Sequence, residues 1–133
     1  MPRMTPYADP LSAGEHVQLG QSYAAQHDDQ AAGLQYEQAL KKDRHYIPAL
    51  LAMGDHEFAA GRPKDALPFY KKVLSQKPDH AGAQNNIAVV YLALGNLKKA
   101  EVFAQRASES AALRPYAMDT LSQIELRRAQ TNK

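Results

Sequence analysis

A chain of 133 residues has the length of one ordinary domain, and 44% hydrophobic residues are enough for one continuous core. The formal net charge of +2 excludes the strong basic excess that nucleic-acid and anionic-membrane surfaces usually require. Because the chain contains no Cys, disulfides, thiol chemistry and Cys-type zinc sites are excluded as well.

The N-terminal segment, residues 1–11, is predicted to be an extended tail. It contains Pro2, Pro6 and Pro10, which remove backbone donors and favour extended neighbours. No apolar run follows Arg3, and no window approaches about 18 apolar residues, so neither a signal peptide nor a membrane span is expected. A cytoplasmic location is the default expectation. An exported or lipid-anchored bacterial parent is compatible with a signal that was removed beforehand.

Capping residues and a proline mark helix starts along the rest of the chain. Ser12 and Glu15 match the capping box, in which each side chain bonds the backbone N–H of the other, so a first helix begins there. Asp28 and Asn96 are suitable N-caps for later helices, and Pro115 suits the first turn of the last one. Apolar residues between these marks recur at helical spacing, which predicts about seven helices.

One pattern of residues is repeated at a fixed interval. Gly20, Gly54 and Ala88 lie 34 residues apart, each after an aliphatic residue or Met. In every copy a second short pattern follows with Ala first and an aromatic or small residue four positions later. The three copies of this second pattern are Ala32-x-x-x-Tyr36, Ala66-x-x-x-Tyr70 and Ala100-x-x-x-Ala104.

This period and this pattern resemble the tetratricopeptide repeat over roughly residues 13–114. The resemblance implies an all-α fold, a right-handed α-solenoid of antiparallel helical hairpins. The implied division is an extended tail followed by a single domain at 12–131, with repeats at about 13–46, 47–80 and 81–114 and a capping helix at about 115–130.

Small residues in the pattern are interpreted as places where helices approach closely. Gly54 is expected to face Ala66 of the following helix, and larger side chains there would wedge the pair apart. Aromatic residues such as Tyr36 and Tyr70 are expected to link one hairpin to its neighbour. A leucine at Gly54 is therefore predicted to cost several kcal/mol through overpacking.

The resemblance also implies that a peptide segment of another protein lies in a concave groove formed by the first helix of each hairpin. Amides such as Asn86 suit the backbone of a bound peptide, and Asp55 is expected to favour Lys or Arg in it. The alternative is a structural role, with Asn86 bonding the neighbouring hairpin and Leu51 in the ordinary core. The implied groove positions are Val17, Gln18, Gln21, Leu51, Asp55, Phe58, Asn85, Asn86, Val89 and Leu92.

The chaperone-adaptor branch of this family holds acidic C-terminal tails with Lys, Arg and Asn side chains. Only Asn86 matches that set in this sequence. Val17, Gln21, Ala52 and Gly82 occupy corresponding places and carry no charge. Binding of heat-shock chaperone tails by that mechanism is not expected.

Neither an enzyme nor a cofactor is predicted. His56-Glu57 begins the His-Glu-x-x-His zinc pattern, but Ala60 stands where the second His is required. No Gly-rich phosphate loop or exposed nucleophile turn is present in the sequence. The remaining histidines are interpreted as surface or capping residues: His16, His27, His45 and His80.

Two charged features have alternative interpretations. Glu57 stands where the other copies have Tyr. It either pairs with Arg62 or Lys64, or provides a negative charge near the binding surface. Basic pairs on the second helix of each hairpin and on the last helix either contact the phosphates of a nucleic acid or form a solvated face. Acidic residues interrupt them, so nucleic-acid binding is disfavoured. The pairs are Lys41-Lys42, Lys71-Lys72, Lys98-Lys99 and Arg127-Arg128.

The favoured functional hypothesis is an adaptor that binds a peptide segment of another protein and supports assembly of a larger complex. The alternative is a structural scaffold that forms a homo-oligomer through its ends or its C-terminal helix. The apolar stripe of that helix, from Ala117 to Ile124, is short enough to be shared between copies.

Overall fold

The computed structural model describes residues 8–132, which form seven α-helices and no strand. The predicted all-α class is confirmed. The chain divides into two compact units, Met1–Ala49 (unit 1) and Leu50–Lys133 (unit 2). The helices are α1 (Ala13–Ala25), α2 (Asp29–Lys42), α3 (Ile47–Ala59), α4 (Pro63–Gln76), α5 (Ala81–Ala93), α6 (Leu97–Ser108) and α7 (Arg114–Thr131).

The predicted capping residues start the helices. The Ser12 hydroxyl accepts from the Glu15 backbone N–H, and the Glu15 carboxylate accepts from the Ser12 N–H, both at 3.1 Å. Asp28 and Asn96 each accept from the backbone N–H three residues on. These bonds satisfy donors that a helix leaves free in its first turn. The helix starts were therefore readable from short-range sequence.

In unit 1, α1 packs against α2, and the first turn of α3 joins them. Val17, Ala39 and Ala49 form the apolar cluster between the three helices. Gly20 lies beneath the ring of Tyr36, and a Cβ at Gly20 would stand only 2.8 Å from Tyr36 Cδ1. Glycine is thus required here to leave room for an aromatic ring.

Unit 2 repeats this arrangement with Gly54 of α3 under the ring of Tyr70 from α4. The atoms nearest to a Cβ at Gly54 belong to Tyr70, and Ala66, which was expected to face Gly54, is fully buried in the same core. Tyr70 packs back onto the first helix of its own hairpin. In the third copy, Ala88 and Ala104 hold the two positions, and both are fully buried. The third repeat therefore has two alanines at the positions where the second repeat has a glycine and a tyrosine.

Helix α7 docks onto α5 and α6 through three kinds of contact. Ile124 is fully buried in the apolar core of unit 2. The Thr120 hydroxyl donates to the Asn85 side-chain oxygen at 3.0 Å. Arg128 donates to Glu101 at 2.6 Å, which joins α7 to α6 by an ion pair. No helix in the described range is long and apolar enough to cross a membrane.

The segment before α1 is attached to unit 1. Asp9 bonds the imidazole of His16, and Lys42 donates to the Asp9 carbonyl oxygen at 2.5 Å. His16 is 4% exposed, and its other ring nitrogen lies 2.7 Å from Gln35 Oε1. His16 is therefore buried, contrary to the expectation of a surface or capping residue. Of the predicted tail 1–11, residues 1–7 lie outside the described residues.

This attachment is expected to depend on pH through Asp9. The Leu11 backbone N–H, which donates to Asp9, and then His16 lower the pKa of Asp9 from its ordinary 3.8. A carboxyl with a lowered pKa stabilises the folded state above its ordinary pKa, and this is lost as the pH falls through the lowered value. Protection of the Leu11 amide from hydrogen exchange should thus decrease only in acid.

The variant Asp9→Asn provides the comparison for that measurement. Its neutral amide should leave Leu11 less protected already at neutral pH, with little further change in acid. Equal protection of Leu11 in the two proteins at neutral pH would contradict the assignment of Asp9 as the anchor.

Candidate functional site

Two adjoining clefts open on the surface of unit 2. The first, called the Asp55 cleft, has a volume of about 230 Å³. The second, called the Arg127 cleft, has a volume of about 400 Å³. Phe58 and Val89 line both and form an apolar wall between them. The Asp55 cleft is lined by Asp55, Phe58, Tyr70, Asn86 and Val89, and the Arg127 cleft by Phe58, Val89, Leu92, Ala93, Gln123, Leu126, Arg127 and Gln130.

Helical spacing brings these side chains together. Asp55 and Phe58 are three residues apart on α3, and Asn86 and Val89 are three apart on α5, so each pair shares a face of its helix. On α7 the lining residues recur at intervals of three and four. The clefts thus lie on helices that are fixed by the core.

A buried tyrosine orients the acidic group. Tyr70 is 2% exposed, and its hydroxyl donates to the Asp55 carboxylate at 2.5 Å. Burial and the bond to Asp55 raise the pKa of Tyr70, so its hydroxyl stays protonated and remains a donor. Asp55 as a whole residue is exposed. Surrounding protein nevertheless desolvates its carboxyl and raises its pKa, and the Tyr70 bond partly opposes that rise.

Five of the predicted groove residues line these clefts: Asp55, Phe58, Asn86, Val89 and Leu92. Asn86 therefore lies on a cleft surface. Leu51 is partly buried against the core of unit 2, which agrees with its alternative role. Asn85 is 8% exposed, and its side-chain oxygen accepts the Thr120 bond that holds α7.

The three predicted groove residues of unit 1 differ in exposure. Val17 is 4% exposed and packs against Ala39 and Ala49, so its side chain serves the core. Gln18 and Gln21 are exposed on α1, where their amides are open to solvent. Only the two glutamines thus keep a surface that a ligand can reach.

Sequence reasoning missed the contribution of α7 to the clefts. The pair Arg127-Arg128 was assigned to an outward basic face, but Arg127 lines a cleft while Arg128 pairs with Glu101 and Glu125. The helical recurrence of Gln123, Arg127 and Gln130 was the available signal. Which neighbour that stripe faced depended on the docking of α7.

Glu57 has the structural partner that one interpretation named. Its carboxylate lies 2.5 Å from Nε of Arg62, and this ion pair raises the pKa of Arg62. Glu57 lines neither cleft. His80 caps α5 by accepting from the Ala83 N–H at 3.0 Å, as expected for one of the histidines. Within residues 8–132 no three His, Asp or Glu side chains cluster as metal ligands.

Comparison with known proteins agrees with this architecture. A family model described as tetratricopeptide repeat matches residues 57–124, just over half of the chain. No curated protein matches the chain.

Solved structures share the fold at low sequence identity. The first TPR of Spaghetti (RPAP3) bound to the HSP90 peptide SRMEEVD superposes with a TM-score of 0.82 at 17% identity, covering 94% of this chain and 99% of that one. The Yersinia enterocolitica type III secretion chaperone SycD, in complex with a peptide of the translocator YopD, gives 0.77 at 16% identity and covers 86% and 93%. The repeat pattern, the helical hairpins and the family match agree, and the chain belongs to the tetratricopeptide repeat family.

Proposed function

We propose that this protein is an interaction adaptor that binds a peptide segment of a partner protein in the two clefts of unit 2. The observation that carries the proposal is the shared wall of Phe58 and Val89, which joins two side-chain-sized clefts into one recognition surface. Apolar walls with a few polar groups are typical of ligand sites. Binding of this kind would bring the partner into a larger complex.

The dimensions of the clefts favour a linear segment over a folded surface. Volumes of about 230 and 400 Å³ suit single side chains of a peptide. Asn86 and Gln123 add amides that can donate to and accept from the backbone of such a segment. Peptides bound to Spaghetti and SycD support this mode of binding by analogy of fold.

The charge of the Asp55 cleft argues against an acidic tail as its occupant. Among residues 8–132, Asp55 is the only charged residue that lines this cleft. A carboxylate brought beside it would meet like charge without a compensating cation. The partner is therefore expected to differ from the HSP90 peptide held by Spaghetti.

The function proposed here is binding, with no catalytic step. Tetratricopeptide domains are typically non-enzymatic interaction modules. Asp55 and Tyr70 bond each other, and this bond provides an orienting contact for recognition. Neither side chain needs to exchange a proton in that role.

The test compares two valine variants in a pull-down from the lysate of the source cell. Val89→Glu places a charge on the shared wall, whereas Val102→Glu places one on the exposed surface of α6, away from both clefts. Partners should be lost with Val89→Glu and retained with Val102→Glu. Circular dichroism checks that both variants fold.

Other results would overturn the assignment. Retention of the same partners by both variants would place binding outside the clefts. Recovery of the protein alone would favour the self-associating scaffold, for which α7 offers exposed Tyr116, Met118 and Leu126. Light scattering at several concentrations would then show a closed oligomer.

A further inference from the structure

We propose that the partner segment carries a Lys or Arg, an apolar residue and an Asp or Glu in succession, read by Asp55, by the Phe58 and Val89 wall, and by Arg127. This inference rests on the proposed function and adds the chemistry of the ligand. The proposed occupant of the two clefts is a short peptide segment with charges of opposite sign on either side of an apolar side chain.

The Asp55 cleft is built to receive a cation. The Asp55 carboxylate accepts from the Tyr70 hydroxyl, and no Lys, Arg or His of the described chain lines the cleft. Phe58 and Val89 can cover the aliphatic stem of a lysine or arginine while its charged head reaches Asp55. The amide oxygen of Asn86 can accept a further N–H from that head.

The Arg127 cleft has the opposite charge. Arg127 is its only charged lining residue and makes no ion pair or hydrogen bond within the described part of the chain. Its neighbour Arg128 is paired with both Glu101 and Glu125. A guanidinium left unpaired beside Leu92 and Leu126 is therefore suited to a carboxylate on an otherwise apolar segment.

Charge complementarity thus selects the occupant from both sides of the shared wall. A segment with one charge of each sign pairs both groups, whereas a uniformly acidic or basic segment satisfies one and is repelled by the other. The two charges, neither of which forms an ion pair within residues 8–132, belong to α3 and α7, and the wall between them belongs to α3 and α5. Recognition is therefore divided among three helices of unit 2.

The probe for this proposal is a displayed library of short random peptides. It is selected against the wild type, Asp55→Asn, Arg127→Gln and the control Asp79→Asn, whose carboxylate is exposed outside both clefts. The wild type and Asp79→Asn should enrich peptides with all three features. Asp55→Asn should lose only the preference for Lys or Arg and keep the preference for Asp or Glu. Arg127→Gln should show the reverse.

A synthetic copy of the most enriched peptide then gives the magnitude. Replacing its lysine or arginine with norleucine should weaken binding to the wild type about tenfold, because a partly desolvated charge pair is lost. The same replacement should change binding to Asp55→Asn little. Added salt should weaken binding most in the combination that has both the peptide cation and Asp55, because the ion pair with Arg127 is common to all the combinations.

The stability of Asp55→Asn separates recognition from a structural role. Its amide oxygen can still accept from Tyr70, and the partly desolvated carboxylate is removed. A carboxyl whose pKa is raised by folding costs stability at neutral pH, and the cost disappears as the pH falls. The variant should therefore melt no lower than the wild type at neutral pH while it loses cation selectivity.

The outcomes distinguish this inference from the proposed function. Enriched peptides that lack the charges but still require Val89 would overturn the inference and leave the proposed function standing. Library selection that fails equally with the wild type and Val89→Glu would contradict both.

Discussion

Replacing Gly54 with alanine should destabilise the folded chain by about 1–3 kcal/mol through overpacking. In an exposed helix the same change stabilises, because alanine is the better helix former by roughly 1 kcal/mol. Here the new Cβ would lie 2.7 Å from Cζ of Tyr70. The ring is held in place by burial and by the hydrogen bond from its hydroxyl to Asp55, so it cannot yield easily. Leucine at Gly54 should cost more.

The third repeat supplies the control for this prediction. In a Tyr70→Ala background, Gly54→Ala recreates the pair formed by Ala88 and Ala104. In that background Gly54→Ala should stabilise the folded chain, because the Tyr70 ring is absent and only the higher helix propensity of alanine remains. Urea unfolding of the wild type, both single variants and the double variant measures the four free energies. An equal effect of Gly54→Ala in both backgrounds would sink the proposed contact.

Replacing Ile124 with alanine should cost about 2–5 kcal/mol, the range for a large apolar side chain truncated in a core. Ile124 is fully buried and carries much of the apolar contact between α7 and the remainder of unit 2. The loss combines the hydrophobic transfer of the removed atoms with the cavity that they leave. Chemical unfolding followed by circular dichroism measures the change.

Leu126→Ala provides the matched comparison for Ile124→Ala. It removes a side chain of similar size from the same helix, but Leu126 is 65% exposed and lines the Arg127 cleft. Its effect on stability should be within about 0.5 kcal/mol, as for surface substitutions in general. Equal destabilisation by the two variants would show that α7 is not docked through Ile124.

The fold was largely readable from the sequence because its signals are local. The capping box of Ser12 and Glu15 involves residues three apart, and the interval between Gly20 and Gly54 is the length of one repeat. These features act within one helix or one hairpin. Their meaning therefore does not depend on how distant elements pack.

The candidate site was less predictable because it depends on rotations that the sequence does not state. Neighbouring helical residues point about 100° apart. Asn85 consequently bonds Thr120 while Asn86 lines a cleft, and Arg128 forms ion pairs while Arg127 lines a cleft. The docking of α7 determines the surroundings of Asn85, Arg127 and Arg128, whereas α3, α4 and α5 surround Asn86.

Contacts made by residues outside the repeats were also beyond the repeat pattern. The family pattern describes positions that recur, whereas Asp9 lies ahead of the first repeat and bonds His16 in α1. A buried imidazole with two partners has no counterpart in the pattern. The location of His16 could only follow from the path of the preceding chain.

The tyrosine in the second repeat also constrains how the repeats can diverge. Its ring occupies the space above Gly54, and its hydroxyl aims Asp55 into a cleft. At the corresponding positions of the third repeat stand Ala88, Ala104 and Val89, without an aromatic ring, its hydroxyl or an acid. If the second repeat changed to that arrangement one residue at a time, Gly54→Ala first would give an overpacked pair, and Tyr70→Ala first would leave a cavity.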